Sequence, residues 1–210
     1  MKNFLKLIFA SLVMAGITLN ASADSAAAGK PHYATCVACH GDQGQGNQAM
    51  NAPRLSHLEP VYIAAQLSKF RSGVRGGAGA TATAMQMAPM AAMLPDDQAV
   101  ADVATYISSL ESSASAATVE GDVKMGGDYY NQFCGACHGA GAVGNAALNS
   151  PRLAGGDDWY MQAQLLAFRS GQRGSHADDT TGKQMRAMAA ILPNEQAVMD
   201  VVAYLHSLGQ

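Results

Sequence analysis

The sequence predicts an all-α protein made of two tandem copies of one small domain. Two observations carry this prediction. The pentapeptide Cys36-Val37-Ala38-Cys39-His40 returns as Cys134-Gly135-Ala136-Cys137-His138, and from there the same 98-residue shift runs without a gap to the end of the chain. Within each copy apolar residues recur at helical spacing, and no run alternates convincingly as a strand.

Residues 1–23 read as a cleaved secretory signal, with Lys2 and Lys6 in a basic start, an apolar run from Leu7 to Ile17, and Ala21-Ser22-Ala23 as the small-residue cleavage site. No later segment approaches the ~18 continuous apolar residues that a membrane span needs, so none is expected in the mature chain. The first domain is expected over 24–113 and the second over 120–210. Residues 114–119 form the linker, inside a stretch from Glu111 to Gly121 that is rich in Ser, Ala and Thr and reads as exposed.

Each copy suggests three main helices. The first leads into the pentapeptide, around 26–39 and 122–137. The second runs around 60–72 and 158–170, where Tyr62, Gln66, Leu67 and Phe70 recur as Tyr160, Gln164, Leu165 and Phe168 before a glycine stop at 73 and 171. The third starts after Pro95 or Pro193, has Asp96-Asp97 or Asn194-Glu195 in its first turn, and carries the stripe Val100, Val103, Ile107 and Leu110. Residues 73–88, rich in Gly, Ala and Thr, read as a long loop that has to lean on a neighbouring surface.

Without Lys2 and Lys6, 11 basic side chains face 16 acidic ones, a formal charge of −5 that is spread over both copies. This disfavours a nucleic-acid partner and suits an exported, soluble protein.

The pentapeptide has a definite chemistry. Cys, Cys and His at this spacing share one face of a helical turn, so the thiols can bond the two vinyl groups of one porphyrin while the imidazole reaches its iron. Cys36 and Cys39, and again Cys134 and Cys137, are therefore expected to hold two covalent haem c groups, with His40 and His138 as axial ligands and electron transfer as the task. A zinc site would bring its cysteine pairs within roughly 15–20 residues, and neither zinc nor a redox dithiol needs the histidine twice. All four cysteines are used by the motifs, so no disulfide is predicted. A domain of about 90 residues has a marginal core, and buried porphyrin would complete it.

The ligand on the other side of each iron decides between a carrier and an enzyme. If both copies bind haem alike, it must occur at matching positions. His32, His57, His176 and His206 have no histidine at the shifted position, which leaves only His40 and His138. Among the methionines two pairs survive, Met87 with Met185 and Met90 with Met188, and composition does not choose between them.

These residues resemble the dihaem cytochromes c4, and the likeness covers the whole mature chain. In that family each half has C-x-x-C-H, then a P-x-L segment, then a Met seven residues before a Leu that precedes the final helix. Here the corresponding residues are Pro53-Arg54-Leu55 and Pro151-Arg152-Leu153, then Met87 before Leu94 and Met185 before Leu192. The resemblance implies two tandem class I cytochrome c-like domains related by pseudo-symmetry, with Met87 and Met185 as axial ligands and Met90 and Met188 as supporting core. It implies that the Pro53 and Pro151 carbonyls hydrogen-bond the ligand imidazoles, and Arg54 and Arg152 are candidates for contacts with haem propionates. The function implied is that of a periplasmic electron carrier in a respiratory chain, not an enzyme. Its electrons would come from a quinol-oxidising cytochrome bc-type complex or a periplasmic dehydrogenase and pass to a terminal oxidase or reductase, with peripheral membrane association compatible with that role. The alternative is a cytochrome subunit of a dehydrogenase that oxidises thiosulfate, sulfide or an alcohol.

Overall fold

The computed structural model describes residues 22–111 and 113–209. The expected secretory signal falls almost wholly on residues 1–21, which lie outside the described residues. Among the described residues the regular structure is helical, with two isolated bridges and no strand. The N-terminal half contains α1 (22–33), α2 (Val37–His40), α3 (Pro60–Arg71), α4 (Ala82–Ala92) and α5 (Asp97–Ser109). The C-terminal half repeats them as α6 (Val123–Tyr129), α7 (Gly135–His138), α8 (Asp158–Ser170), α9 (Thr180–Ala189) and α10 (Glu195–Ser207).

The last helix of each half starts where Pro95 and Pro193 end the preceding segment. Asp96 accepts from Ala99 N at 2.8 Å and Asn194 from Ala197 N at 2.9 Å, which caps orphan donors of the first turn. The apolar stripe then buries Val100, Val103 and Ile107 against Tyr33 and Ile63. Its repeat buries Val198, Val201 and Leu205 against Tyr130 and Met161. Small residues let the first helix cross closely: a Cβ at Gly29 would collide with the Asp102 carbonyl, and one at Gly126 with the Asp200 carbonyl.

Those two glycines reveal a one-residue slip that the 98-residue shift does not carry upstream of the pentapeptides. Gly29 and Gly126 are 97 apart, as are Tyr33 and Tyr130, whose hydroxyls donate to Gly41 O (2.7 Å) and Gly139 O (2.6 Å). The surplus residue in the second half is absorbed by a π-helical turn over Tyr130–Cys134. Tyr130 is thus the counterpart of Tyr33, and His32, expected to pair with Tyr130, instead matches Tyr129.

The loop expected over 73–88 ends early and gives way to an unpredicted helix, α4, repeated as α9, while the helix expected over 26–39 is broken by a turn at 34–36 into α1 and α2. Thr81 Oγ1 accepts from Ala84 N at 3.3 Å and starts α4, whose residues are mostly alanine and methionine. Pro89 lies inside this helix, and the preceding glycine run resembles loop, so local composition conceals it. In the second half Asp179 caps α9 through Gly182 N at 2.9 Å.

The halves meet across a pseudo-twofold seam. Arg75 donates to Gln66 of its own half at 2.8 Å and across to Tyr160 at 2.9 Å and Gln164 at 3.0 Å. Arg173 reciprocates, donating to Gln164 at 2.7 Å, Tyr62 at 3.2 Å and Gln66 at 3.1 Å. Each guanidinium also sits 4.5 Å over a ring of its own half, Phe70 or Phe168. A second reciprocal pair joins Arg54 N to Asp157 Oδ2 (2.7 Å) and Arg152 N to Glu59 Oε2 (3.2 Å).

The segment joining the halves is exposed over most of its length yet tethered. The fully buried Asp158 carboxylate accepts from Thr118 N, Thr118 Oγ1, Val119 N and Trp159 N at 2.5–2.8 Å. Burial alone would raise its pKa, but these hydrogen bonds outweigh burial and hold it below the ordinary carboxylate value. A depressed folded pKa contributes stability that is present above the unfolded value of about 3.9 and is lost as pH falls through the folded value. Asp158→Ala is expected to cost about 2–3 kcal/mol in denaturant melts at neutral pH. The difference from the parent should narrow as pH drops below that window; a constant difference would assign the loss to packing instead.

Candidate functional site

Each half builds its site from four segments. In the first half α2 places Cys36, Cys39 and His40 within one turn, and Gly41 (φ 79°) ends that turn. The chain doubles back at Gly46 (φ 80°), where a Cβ would press on Arg54 N and the Pro53 carbonyl carbon. That close approach brings the Pro53 carbonyl within 2.8 Å of His40 Nδ1. In the second half Gly139 and Gly144 serve the same turns, and Pro151 O lies 2.9 Å from His138 Nδ1.

A carbonyl only accepts, so each Nδ1 carries the proton and each Nε2 presents a lone pair. Both imidazoles are buried, His40 at 5% exposure and His138 at 4%. Burial pushes their pKa down against the opposing pull of the proline carbonyl. A neutral imidazole oriented through its far nitrogen is what iron ligation requires. Pro53 and Pro151 thus make the carbonyl contacts that the resemblance implied.

Among the described residues no disulfide joins any of the four cysteines. Burial raises the pKa of Cys36, and that of Cys134 to about 11. Among the described residues no three His, Cys, Asp or Glu side chains converge on a metal-binding point, so the two cysteine pairs do not assemble into a zinc site. This donor set fits covalent porphyrin in both halves.

Met87 and Met90 lie one helical turn apart on α4, as Met185 and Met188 do on α9. Met87 and Met185 are half-buried alike, whereas Met90 is 39% exposed and its counterpart Met188 is half-buried. The unmatched histidines go elsewhere. His176 is on the surface beside Asp178, and His206 is buried with Nδ1 3.5 Å from Gly156 O. His57 stands at the seam with Nδ1 buried and unpartnered; burial, with Arg54 and Arg152 nearby, depresses its pKa to about 3. Arg54 is committed to the seam, where Nη1 donates to Gly155 O at 2.8 Å, and Arg152 Nε to Ala154 O at 3.1 Å.

Sequence reasoning did not single out Gly46, Gly144, Tyr33 or Tyr130. The glycines were findable as a matched pair at the 98-residue shift. The tyrosines were not, because the π-turn breaks their register.

Two all-helical halves, each with a thiol pair, an oriented neutral imidazole and a methionine helix, define a tandem c-type cytochrome. The cytochrome c family pattern matches residues 26–111 and 123–209. Cytochrome c4 of Azotobacter vinelandii is 31% identical over 97% of this chain and 99% of its own. The thiosulfate dehydrogenase electron acceptor of Thiomonas intermedia strain K12 is 39% identical over 70% of this chain and 68% of its own. The crystal structure of reduced recombinant cytochrome c4 from Pseudomonas stutzeri superposes with a TM-score of 0.66 at 26% identity, covering 86% of this chain and 96% of that one. The chain belongs to the cytochrome c4 family. It binds two covalent haem c groups through its C-x-x-C-H motifs and transfers electrons as a dihaem carrier; it is not an enzyme.

Proposed function

We propose that the chain is a periplasmic respiratory carrier, exported by residues 1–23 and folded as domains over 24–113 and 120–210. It takes electrons from a quinol-oxidising cytochrome bc-type complex or a periplasmic dehydrogenase and delivers them to a terminal oxidase or reductase. His40 with Met87 and His138 with Met185 are the axial pairs. The observation that carries this reading is the equivalence of the two sites: each has the same imidazole, the same proline carbonyl behind it, and a methionine of matching burial. Haem held by these histidines and methionines would supply single-electron exchange at a raised potential. The chain contributes orientation, through Pro53 and Pro151, and closure, through Met87 and Met185.

Among possible donors, a thiosulfate-oxidising dehydrogenase is favoured specifically by the 39% identity with the Thiomonas acceptor. The experiment is anaerobic mixing of the ferric protein with thiosulfate and a thiosulfate dehydrogenase, followed in the visible spectrum. Reduction of both haems within the enzyme's turnover time is the expected result. Prompt reduction by a bc-type complex with none by the dehydrogenase would reassign the donor, and reduction by neither would overturn the carrier role proposed.

A further inference from the structure

The helices α4 and α9 are the same element in the two halves, yet their N-termini are held differently. Asp179 Oδ1 accepts from Gly182 N at 2.9 Å as the cap of α9, and the same oxygen accepts from Lys69 Nζ at 2.6 Å. Lys69 belongs to α3 of the other half, and its ammonium also donates to Thr181 Oγ1 at 2.7 Å. The Asp179 side chain is 3% exposed and that of Lys69 is 21%. The first turn of α9 is clamped from two further sides. A Cβ at Gly182 would collide with the Asp179 carboxylate, and one at Gly174 (φ 78°) with the Gly182 carbonyl.

The N-terminal half has no such strap. At the matching cap Thr81 receives only Ala84 N, at 3.3 Å, and a hydroxyl contact with Thr83. The position matching Lys69 is Ala167, a buried methyl that cannot reach across the seam. The start of one methionine helix is therefore fastened to the opposite half by an ion pair that the start of the other lacks among the described residues.

We propose that Lys69 is a positioning residue for the C-terminal haem. Through Asp179 it fixes the start of α9 and, six residues further along, the Met185 sulfur. This inference rests on Met185 being the axial ligand. It makes the ligation of the C-terminal haem conditional on the N-terminal half being seated against it, with no reciprocal dependence for the haem held by Cys36 and Cys39.

A purely Coulombic role makes the opposite prediction, which allows a clean test. Removing a positive charge disfavours the reduced haem and removing a negative one favours it, so Lys69→Met and Asp179→Ala would shift the C-terminal potential in opposite directions with ligation intact. Loss of positioning instead weakens the far-red methionine–iron charge-transfer band in both variants. The experiment is a spectroelectrochemical titration of the full dihaem chain carrying Lys69→Met, Asp179→Ala, Lys69→Arg or Met185→Ala, with Lys69→Gln as a second uncharged variant should the Met variant not accumulate. The expected result is a loss of up to half the band, the C-terminal share, in Lys69→Met and Asp179→Ala, restoration in Lys69→Arg, and an unchanged N-terminal potential. If Met185→Ala removes that share while Lys69→Met and Asp179→Ala keep the full band, the positioning role is overturned and the ligand stands. If Met185→Ala leaves the band whole, the ligand assignment itself fails, and the role of Lys69 fails with it.

Discussion

Met87→Ala is expected to abolish the far-red methionine–iron band of one haem and to lower that haem's potential by on the order of 0.1 V or more, within the roughly 0.8 V that axial ligands span. The physical reason is that a thioether is a weak, neutral donor that favours ferrous iron, and water in its place favours ferric. Met185→Ala should do the same to the other haem, and the double variant should leave both irons open on one side. Met90→Ala and Met188→Ala are the controls. They stand on the same helices one turn later, and Met90 is exposed where Met188 is not, so neither should alter ligation. Potentiometric titration with visible spectra reads all five proteins. A full band in Met87→Ala beside a lost one in Met90→Ala would move the ligand one turn along α4.

The two core helices of each half were legible because their signals are local. Pro95 and Pro193 mark a helix start, Tyr62, Gln66 and Phe70 recur at helical spacing, and the spacing of Val100, Val103 and Ile107 announces a buried stripe. The buried, carbonyl-oriented histidines were equally plain, since the pentapeptide is itself one helical turn. The methionine helix was less visible. Its start depends on a single Thr81 or Asp179 cap behind a glycine-rich approach, and Pro89 argues locally against a helix that packing against α3 nevertheless sustains. Least visible was the seam. Tyr62 and Gln66 recur so faithfully that they read as a helix face of each domain, and Arg75 as part of the loop that follows, whereas their recurrence reflects a contact between domains in which each half supplies both donor and acceptor. A duplicated pattern in one chain cannot distinguish residues repeated because each copy needs them from residues repeated because the copies face each other.

The seam also explains why the two sites are alike but not interchangeable. Its inner network is symmetric, Arg75 with Tyr160 and Arg173 with Tyr62, while its periphery is not: Lys69, His57 and Asp158 have no counterpart of the same chemistry at Ala167, Gly155 and Pro60. Symmetric contacts set the mutual placement of the halves. Of the asymmetric ones, Lys69 anchors the C-terminal half across the seam and Asp158 anchors it to the connecting segment.

That difference in anchorage orders the effects of removing the covalent attachment. A domain of about 90 residues ordinarily retains only roughly 5–13 kcal/mol of net stability, so losing a porphyrin from its centre is a loss comparable to the whole. Cys36→Ala/Cys39→Ala is expected to yield a one-haem chain whose N-terminal half no longer melts cooperatively. Its own buried cluster is small, built on Tyr33, Ile63, Leu94 and the α5 stripe, with Ala99 and Ala104 filling the remaining places. Cys134→Ala/Cys137→Ala should be milder. The C-terminal cluster has Val202 where the N-terminal one has Ala104 and adds Ala142 and Ala154, and Asp158 and Asp179 tie α8 and α9 to the connecting segment and to Lys69. Mass spectrometry establishes the haem count, and thermal melts followed by far-ultraviolet circular dichroism read the helix lost. Equal losses in the two double variants would show that the asymmetric contacts contribute nothing to stability without porphyrin, and retention of a full two-domain melt in either would show that these cores stand without it.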